Sequence, residues 1–285
     1  MTNAVTRFML DALDIRGAVV QLGSTWQQVC VGRHYPPAVQ SLLGQMCAVT
    51  AVIAANLKQA ARITFQLSGH GSVSLLVIDC NERLNLRGYA RHEAAPVGPA
   101  GLQELLGDGR LLMSLDMEGA RQPWQSYVPV EGESIAAVFE HYLAQSEQQP
   151  ALLVLFANQE QATGLFLQKL PGADLKDADG WNRIVHLAST VKAEELMELS
   201  AEEVLLRLFF EEEVRMFEAR PVTHDFPPDR DKIATMLRSL GHEEIERILA
   251  EHGEVRIHDD LSNHEYIFSS EEALALFSQG RPTLH

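Results

Sequence analysis

The sequence predicts an α+β protein. It reads as an N-terminal domain of mixed sheet and packed helices over 1–178, a helical linker over 179–220, and a small C-terminal α/β domain over 221–285 built as helix–helix–hairpin–helix. Three observations carry this. Strand-like runs follow one another (RITFQLS, SVSLLVID, LNLRGYARH), where a doubly wound fold would alternate them with helices. One long apolar stretch, AVQSLLGQMCAVTAVIAANLK, is too uniform for a surface helix and reads as buried on most sides. Beyond residue 178 the chain turns acidic and helical, and Arg220-Pro221 marks a boundary before the last region.

In chain order, residues 5–15 read as a helix and GAVVQL as a strand. Ser24 or Thr25 then opens a helix toward Cys30, and Pro36 and Pro37 precede the long apolar helix. Gly69-His70-Gly71 joins two strand runs as a hairpin turn. Further strands are expected at 110–116, 123–129, 151–157 and 164–170, with a helix from Ser134 to Ser146. In the linker, Thr190 caps VKAEELMEL, and Ser200 with Glu203 makes a capping box ahead of EVLLRLFFEEE. Val204, Leu205, Leu208 and Phe209 form one apolar stripe there, which Leu206 and Phe210 widen. In the last region Asp229 caps a helix to Leu240, Gly241 breaks it, and HEEIERILAEHG runs to Gly253. EVRIHD and EYIF form a hairpin around 261–264, and Ser269 with Glu272 caps a final helix through Phe277.

Composition narrows the function classes. Apolar residues make up 46% of the 285 and charged ones 22%, which fits a globular chain with a core. The 39 acidic against 23 basic residues give a net charge of -16, a field that repels phosphate backbones and excludes nucleic acid as a default partner. No apolar run is expected to reach a membrane span, and the N-terminus, with acidic residues inside it, is not expected to be a signal peptide. Cys30, Cys47 and Cys80 are widely spaced in apolar surroundings and read as buried free thiols in a reducing cytoplasm.

The chemical motifs are sparse. Ser68-Gly69-His70-Gly71-Ser72 lacks the lysine and helix start of a phosphate loop and reads as a turn. Six of the eleven histidines fall in the last region, at 224, 242, 252, 258, 264 and 285. His224 with Asp225, and His258 with Asp259, Asp260 and His264, are metal-compatible donor types, yet their spacing matches no metal motif and they read as solvated-turn residues. No nucleophile–base pair points to an enzyme.

The chain resembles the 33-kilodalton heat-shock protein family, the redox-regulated, ATP-independent holdase chaperones of bacteria. The likeness runs in order through RGAVVQL, YPPAV, AANLK, ITFQLSGHGSVSLLVID, LRGYAR, VEGESIAAVFEHYLAQSEQ, VKAEELMELSAEEVLLRLFFEEEV, LRSLGHEEIERILAEHGEVRIHDD and EYIF. The resemblance implies a chaperone domain, a metastable linker, and a small zinc domain in which a C-x-C pair and a C-x-x-C pair hold the metal as four thiolates. Oxidation of those thiols would release zinc and expose apolar surface to clients. Here Phe226 and Pro228 stand at the first pair of ligand positions and Asp259 and Ser262 at the second. The tetrathiolate site and its thiol switch are therefore expected to be absent, and no cofactor is expected.

Losing a structural zinc removes a folding term on the order of 10 kcal/mol. The expected replacement is an apolar closure of Phe226, Leu261 and the stiffening Pro227 and Pro228 with Leu237, Leu240, Ile245, Ile248, Leu249, Val255, Ile257, Tyr266, Phe268 and Phe277. The implied function is an ATP-independent holdase, monomeric or homodimeric. It would take unfolding clients through Leu205, Leu208, Phe209, Phe210, Val214, Met216 and Phe217 and pass them to ATP-dependent foldases. The alternative on the same fold is an adaptor with one specific partner. Protonation of histidines at about pH 6 is a conceivable trigger. The 13 acidic against six basic residues of 221–285 favour the charged imidazolium, however, so acid is not expected to open the domain.

Overall fold

The N-terminus departs from the sequence reading. In the computed structural model, which describes residues 2–93, 98, 100–128 and 130–278, residues 5–15 are not a helix. They form most of strand β1 (Asn3–Leu10) and the tight connection to β2 (Ile15–Leu22), paired in full antiparallel register from Asn3↔Leu22 to Leu10↔Ile15. Val5 and Phe8, three apart, imitate helical spacing. Both faces of this sheet are covered, so no clean polar alternation betrays the strand. Gly17 explains part of the geometry: it sits opposite Phe8, and a Cβ there would collide with the Phe8 ring that lies across it.

Two further elements follow as expected, α1 (Ser24–Cys30) and α2 (Pro37–Asn56). The latter is long and apolar enough to cross a membrane, which corrects the expectation that no run reaches that length. It is a core helix: it packs on β2 and on β8 (Ala151–Ala157) and β9 (Ala162–Lys169) on one side. On the other it meets β3 (Ala61–Ser68), β4 (Val73–Cys80) and β5 (Leu86–His92). The second sheet continues with β6 (Arg110–Met117) and β7 (Trp124–Val128), in the order β5-β4-β3-β6-β7. Short α3 (Leu102–Leu106) and α4 (Ile135–Ser146), capped by Ser134, complete this layer. Pro129, the end of one expected strand, lies outside the described residues, as does His285.

The six-stranded sheet has the order β10-β1-β2-β9-β8, where β10 is Val214–Met216 and β11 (Arg220–Pro221) also pairs with β1. One face meets α2 through Val5, Ala18, Val20, Leu22 and Phe166. The other carries Phe8, Leu10, Ile15, Val19, Leu165 and Leu167, and is covered by residues from α6 (Gly180–Ala188), α7 (Ala193–Glu198) and α8 (Ala201–Leu208), which follow short α5 (Ala173–Lys176). The chain divides into two compact units after Asp225, and the linker helices belong to the first.

The second unit runs α9 (Arg230–Leu240), α10 (His242–His252), β12 (Glu254–Asp259), β13 (His264–Ser269) and α11 (Ser270–Ser278). Asp229 accepts from Lys232 N at 2.9 Å, and Ser269 and Glu272 cap α11 reciprocally, so the local signals placed these helices correctly.

Candidate functional site

The linker builds the first part of the site. Ser200 Oγ accepts from Glu203 N at 3.2 Å while the Glu203 carboxylate accepts from Ser200 N at 2.8 Å, the capping box the sequence predicts. Thr190 does not cap the preceding helix. Its hydroxyl donates to Leu187 O at the end of α6, and Glu195 instead reaches back to Lys192 N, because the chain needs residues 189–192 to turn between helices.

The apolar stripe points inward. Leu205 and Phe209 are 1% exposed and Leu208 8%, and Phe209 lies 6.2 Å from the Phe8 ring centre. Phe210 is 75% exposed and Leu206 61%, on the outward side. Buried Gln21 is not singled out by the sequence, yet its amide donates to Leu196 O at 3.0 Å and Leu199 O at 2.7 Å, tying the linker to β2. No sequence pattern marks it, because both acceptors are backbone carbonyls far along the chain.

After α8 the chain becomes a strap across the edge of β1. Val214, Arg215 and Met216 pair with Leu10, Met9 and Phe8, and Phe217 N donates to Arg7 O at 2.9 Å. Val214 is partly buried, while Met216 and Phe217 are over a third exposed. Arg215 makes two 2.6 Å hydrogen bonds to Asp11, and these hold the Asp11 carboxyl below its usual value. Phe217 lies between two guanidiniums, with Arg215 at 4.8 Å and Arg7 at 5.7 Å from its ring centre. Beyond Arg220 the chain is stitched down firmly. Arg220 donates to Ala55 O and Glu82 O, Val222 N donates to Asn3 O, and Thr25 Oγ1 donates to Val222 O.

In the second unit the residues at the family's zinc-ligand positions do not form a thiolate site. Phe226 and Pro228 have no donor side chain. Ser262 Oγ donates to Asp259 Oδ2 at 2.6 Å, and Leu261 N donates to Asp259 Oδ1 at 3.1 Å, so that carboxylate organises its own turn. His264 Nε2 is hydrogen-bonded to Phe226 O at 2.5 Å, and Asp229 N donates to Tyr266 Oη at 2.9 Å. These two bonds fasten the β12–β13 hairpin to the segment entering α9. The donor set present therefore does not fit a four-thiolate zinc.

The buried core below comprises Ile233, Ala234, Leu237, Ile245, Val255, Tyr266, Phe268 and Ala273, with Ile248, Leu249, Ile257 and Phe277 packed against it. Five expected members differ. Leu240 is 50% exposed, Pro227 and Pro228 are exposed, and Phe226 and Leu261 are partly buried outside this core. The turns are closed by hydrogen bonds more than by new apolar bulk.

His224 falls in the first unit, bonded to Leu86 O at 2.9 Å, whereas His258 lies 3.9 Å from Asp260 in the second. Among the described residues no group of three or more His, Cys, Asp or Glu side chains is gathered as metal donors. The cysteines are free. Burial pushes Cys30 up to about 11, Cys80 up to about 12, and Cys47 upward too.

The sequence model of the Hsp33 protein family matches residues 3–269. The 33 kDa chaperonin of Chromobacterium violaceum is 39% identical over 277 residues, spanning 96% of this chain and 94% of that protein. The 33 kDa chaperonin of Shewanella woodyi is 41% identical over 273 residues, spanning 95% and 94%. The crystal structure of the Thermotoga maritima 33 kDa chaperonin superimposes with a TM-score of 0.82 over 98% of this chain and 99% of that one, at 20% identity, and so shares the fold. Matched almost end to end by sequence and by fold, the chain belongs to the Hsp33 family.

Proposed function

We propose that this chaperone-family protein is an ATP-independent holdase that works without the thiol–zinc switch. The observation that carries the reading is the covered apolar face of the six-stranded sheet. Phe8, Leu10, Ile15, Val19, Leu165 and Leu167 form a continuous surface, and its cover is three short helices. Helices of nine, six and eight residues have little stability of their own, so they persist only while packed. When heat or chemical damage loosens them, the sheet face and the linker's own Leu205, Leu208 and Phe209 become available together, beside Phe210, Val214, Met216 and Phe217. The net charge of -16 keeps such an opened protein soluble.

In this reading clients are partly unfolded polypeptides in the cytoplasm, later released to ATP-dependent foldases, and the holdase is a monomer or a homodimer. Metal plays no part in its closure, and no bond is made or broken. The test is aggregation suppression of several unrelated proteins without nucleotide, under reducing and oxidising conditions, with metal analysis of the same sample. Suppression of all of them in both conditions is expected. Activity that requires oxidation would sink the switch-free reading, and suppression of a single protein would favour a specific adaptor.

A further inference from the structure

The edge of β1 offers a site distinct from the apolar sheet face. β1 is an eight-residue strand paired along its whole length with β2 on the inner side. Among the described residues its outer side pairs with three-residue β10 and two-residue β11, joined by single backbone bonds from Phe217 N to Arg7 O and from Val222 N to Asn3 O. An edge strand presents a row of backbone donors and acceptors that accepts any extended chain, and natural proteins shield such edges. The shield here is a strap from 210 to 219, pinned at one end by buried Phe209 and at the other by Arg220 and Val222. Between those pins it is mostly exposed, and its Arg215–Asp11 ion pair is half exposed on both sides, so a basic side chain arriving from solvent can compete for Asp11.

The strap also shows what the edge selects. Val214 and Met216 pair with Leu10 and Phe8, on the apolar side of the strand. Arg215 and Phe217, two residues apart and so on the opposite side, engage Asp11 and Arg7. The buried Nε of Arg7 has no hydrogen-bond partner among the described residues, and its guanidinium faces the aromatic ring instead.

We propose that the outer edge of β1 is a strand-acceptor site for clients and that residues 213–218 occupy it as an internal stand-in. The preferred occupant is an extended apolar segment with a basic residue two places before an aromatic one. This rests on the holdase reading and changes the role of Val214, Met216 and Phe217, which cover the site and do not themselves grip the client. The client adds as an antiparallel strand in the register the strap vacates.

The test uses the full-length protein and a fluorescein-labelled EVRMFE peptide, the sequence of 213–218. Protein carrying Arg215→Ala with Phe217→Ala loses the two strap side chains that engage Asp11 and Arg7, and keeps those partners. It is expected to bind the peptide about tenfold more tightly than the unsubstituted chain, and to bind a peptide with Glu in place of its Arg about tenfold more weakly. Met9→Cys with Arg215→Cys joins a register pair, and closing that disulfide is expected to abolish peptide binding and reduce aggregation suppression several-fold, with reduction restoring both. The native thiols do not compete: Cys47 and Cys80 are buried, Cys30 is half-buried where a buried thiol was expected, and all three have raised pKa. Equal affinity in unsubstituted, loosened and disulfide-closed protein overturns the proposal, as does indifference to the Arg-to-Glu exchange. Dimerisation of the loosened protein that peptide cannot reverse assigns the edge to a second copy and overturns it too. A closed protein that still suppresses aggregation fully removes the edge from the holdase and leaves the holdase standing. Suppression absent from every form removes the holdase, while peptide binding still decides the edge.

Discussion

At the scale of single residues, the informative positions are those where a thiol is missing and those where one is present. Asp259, Ser262 and His264 make three hydrogen bonds in and around one hairpin turn. The substitutions at 226, 228, 259 and 262 were legible in the sequence. The bonds were not, because the partner of His264 is the backbone carbonyl of Phe226, 38 residues away. The three real cysteines are poor candidates for a substitute switch. Their folded pKa values are raised by burial, so the thiolate is scarce until the pH nears 11 for Cys30 and 12 for Cys80. Native protein at about pH 8 is therefore expected to resist iodoacetamide at all three, while denatured protein is alkylated at each. Mass spectrometry of the labelled peptides decides it, and fast labelling of native Cys30 would contradict the burial argument. The linkage has a sign: this contribution to stability is present below the ordinary thiol value of 9.0 and is lost as the pH rises from there toward the folded values.

At the scale of elements, α8 is the piece whose sequence and role agree most closely. Its capping box and its apolar stripe follow from the order of residues alone, whereas the outward exposure of Leu206, and of Phe210 just beyond it, does not. Ser200→Ala removes the hydroxyl that accepts from Glu203 N and is expected to destabilise the helix by about 1 kcal/mol. Hydrogen exchange at 201–208 should accelerate accordingly, with a parallel gain in aggregation suppression at lower temperature. Faster exchange with no gain in suppression would separate the linker from the activity. β1 is the counterexample. Its residues carry the strand's apolar positions, but a strand buried on both faces lacks the polar alternation that distinguishes it from a helix. The strap strands were equally hidden, since three residues are too few to show a period.

For the whole molecule, the two units are each held together internally by different means. The first has two cores on opposite faces of one sheet, and the second has a single small core with its turns tied by hydrogen bonds. Thermal unfolding followed by calorimetry is expected to be unchanged by a strong chelator, because Phe226, Pro228, Asp259 and Ser262 supply no thiolate. A fall in melting temperature on chelation would show that some other donor set holds a metal. The sequence by itself determined the α+β class, the order of most elements, the caps at Ser200, Asp229 and Ser269, and the absence of cysteine at 226, 228, 259 and 262, because each is written in neighbouring residues or in a residue's identity. Only the tertiary structure decided that the linker stripe faces a sheet, that Gln21 and Arg215 pin the cover, and that β1 is an edge strand under a strap. Those facts depend on residues brought together from far apart, as Asp11 and Arg215 are across 204 positions, and no local pattern encodes such a meeting.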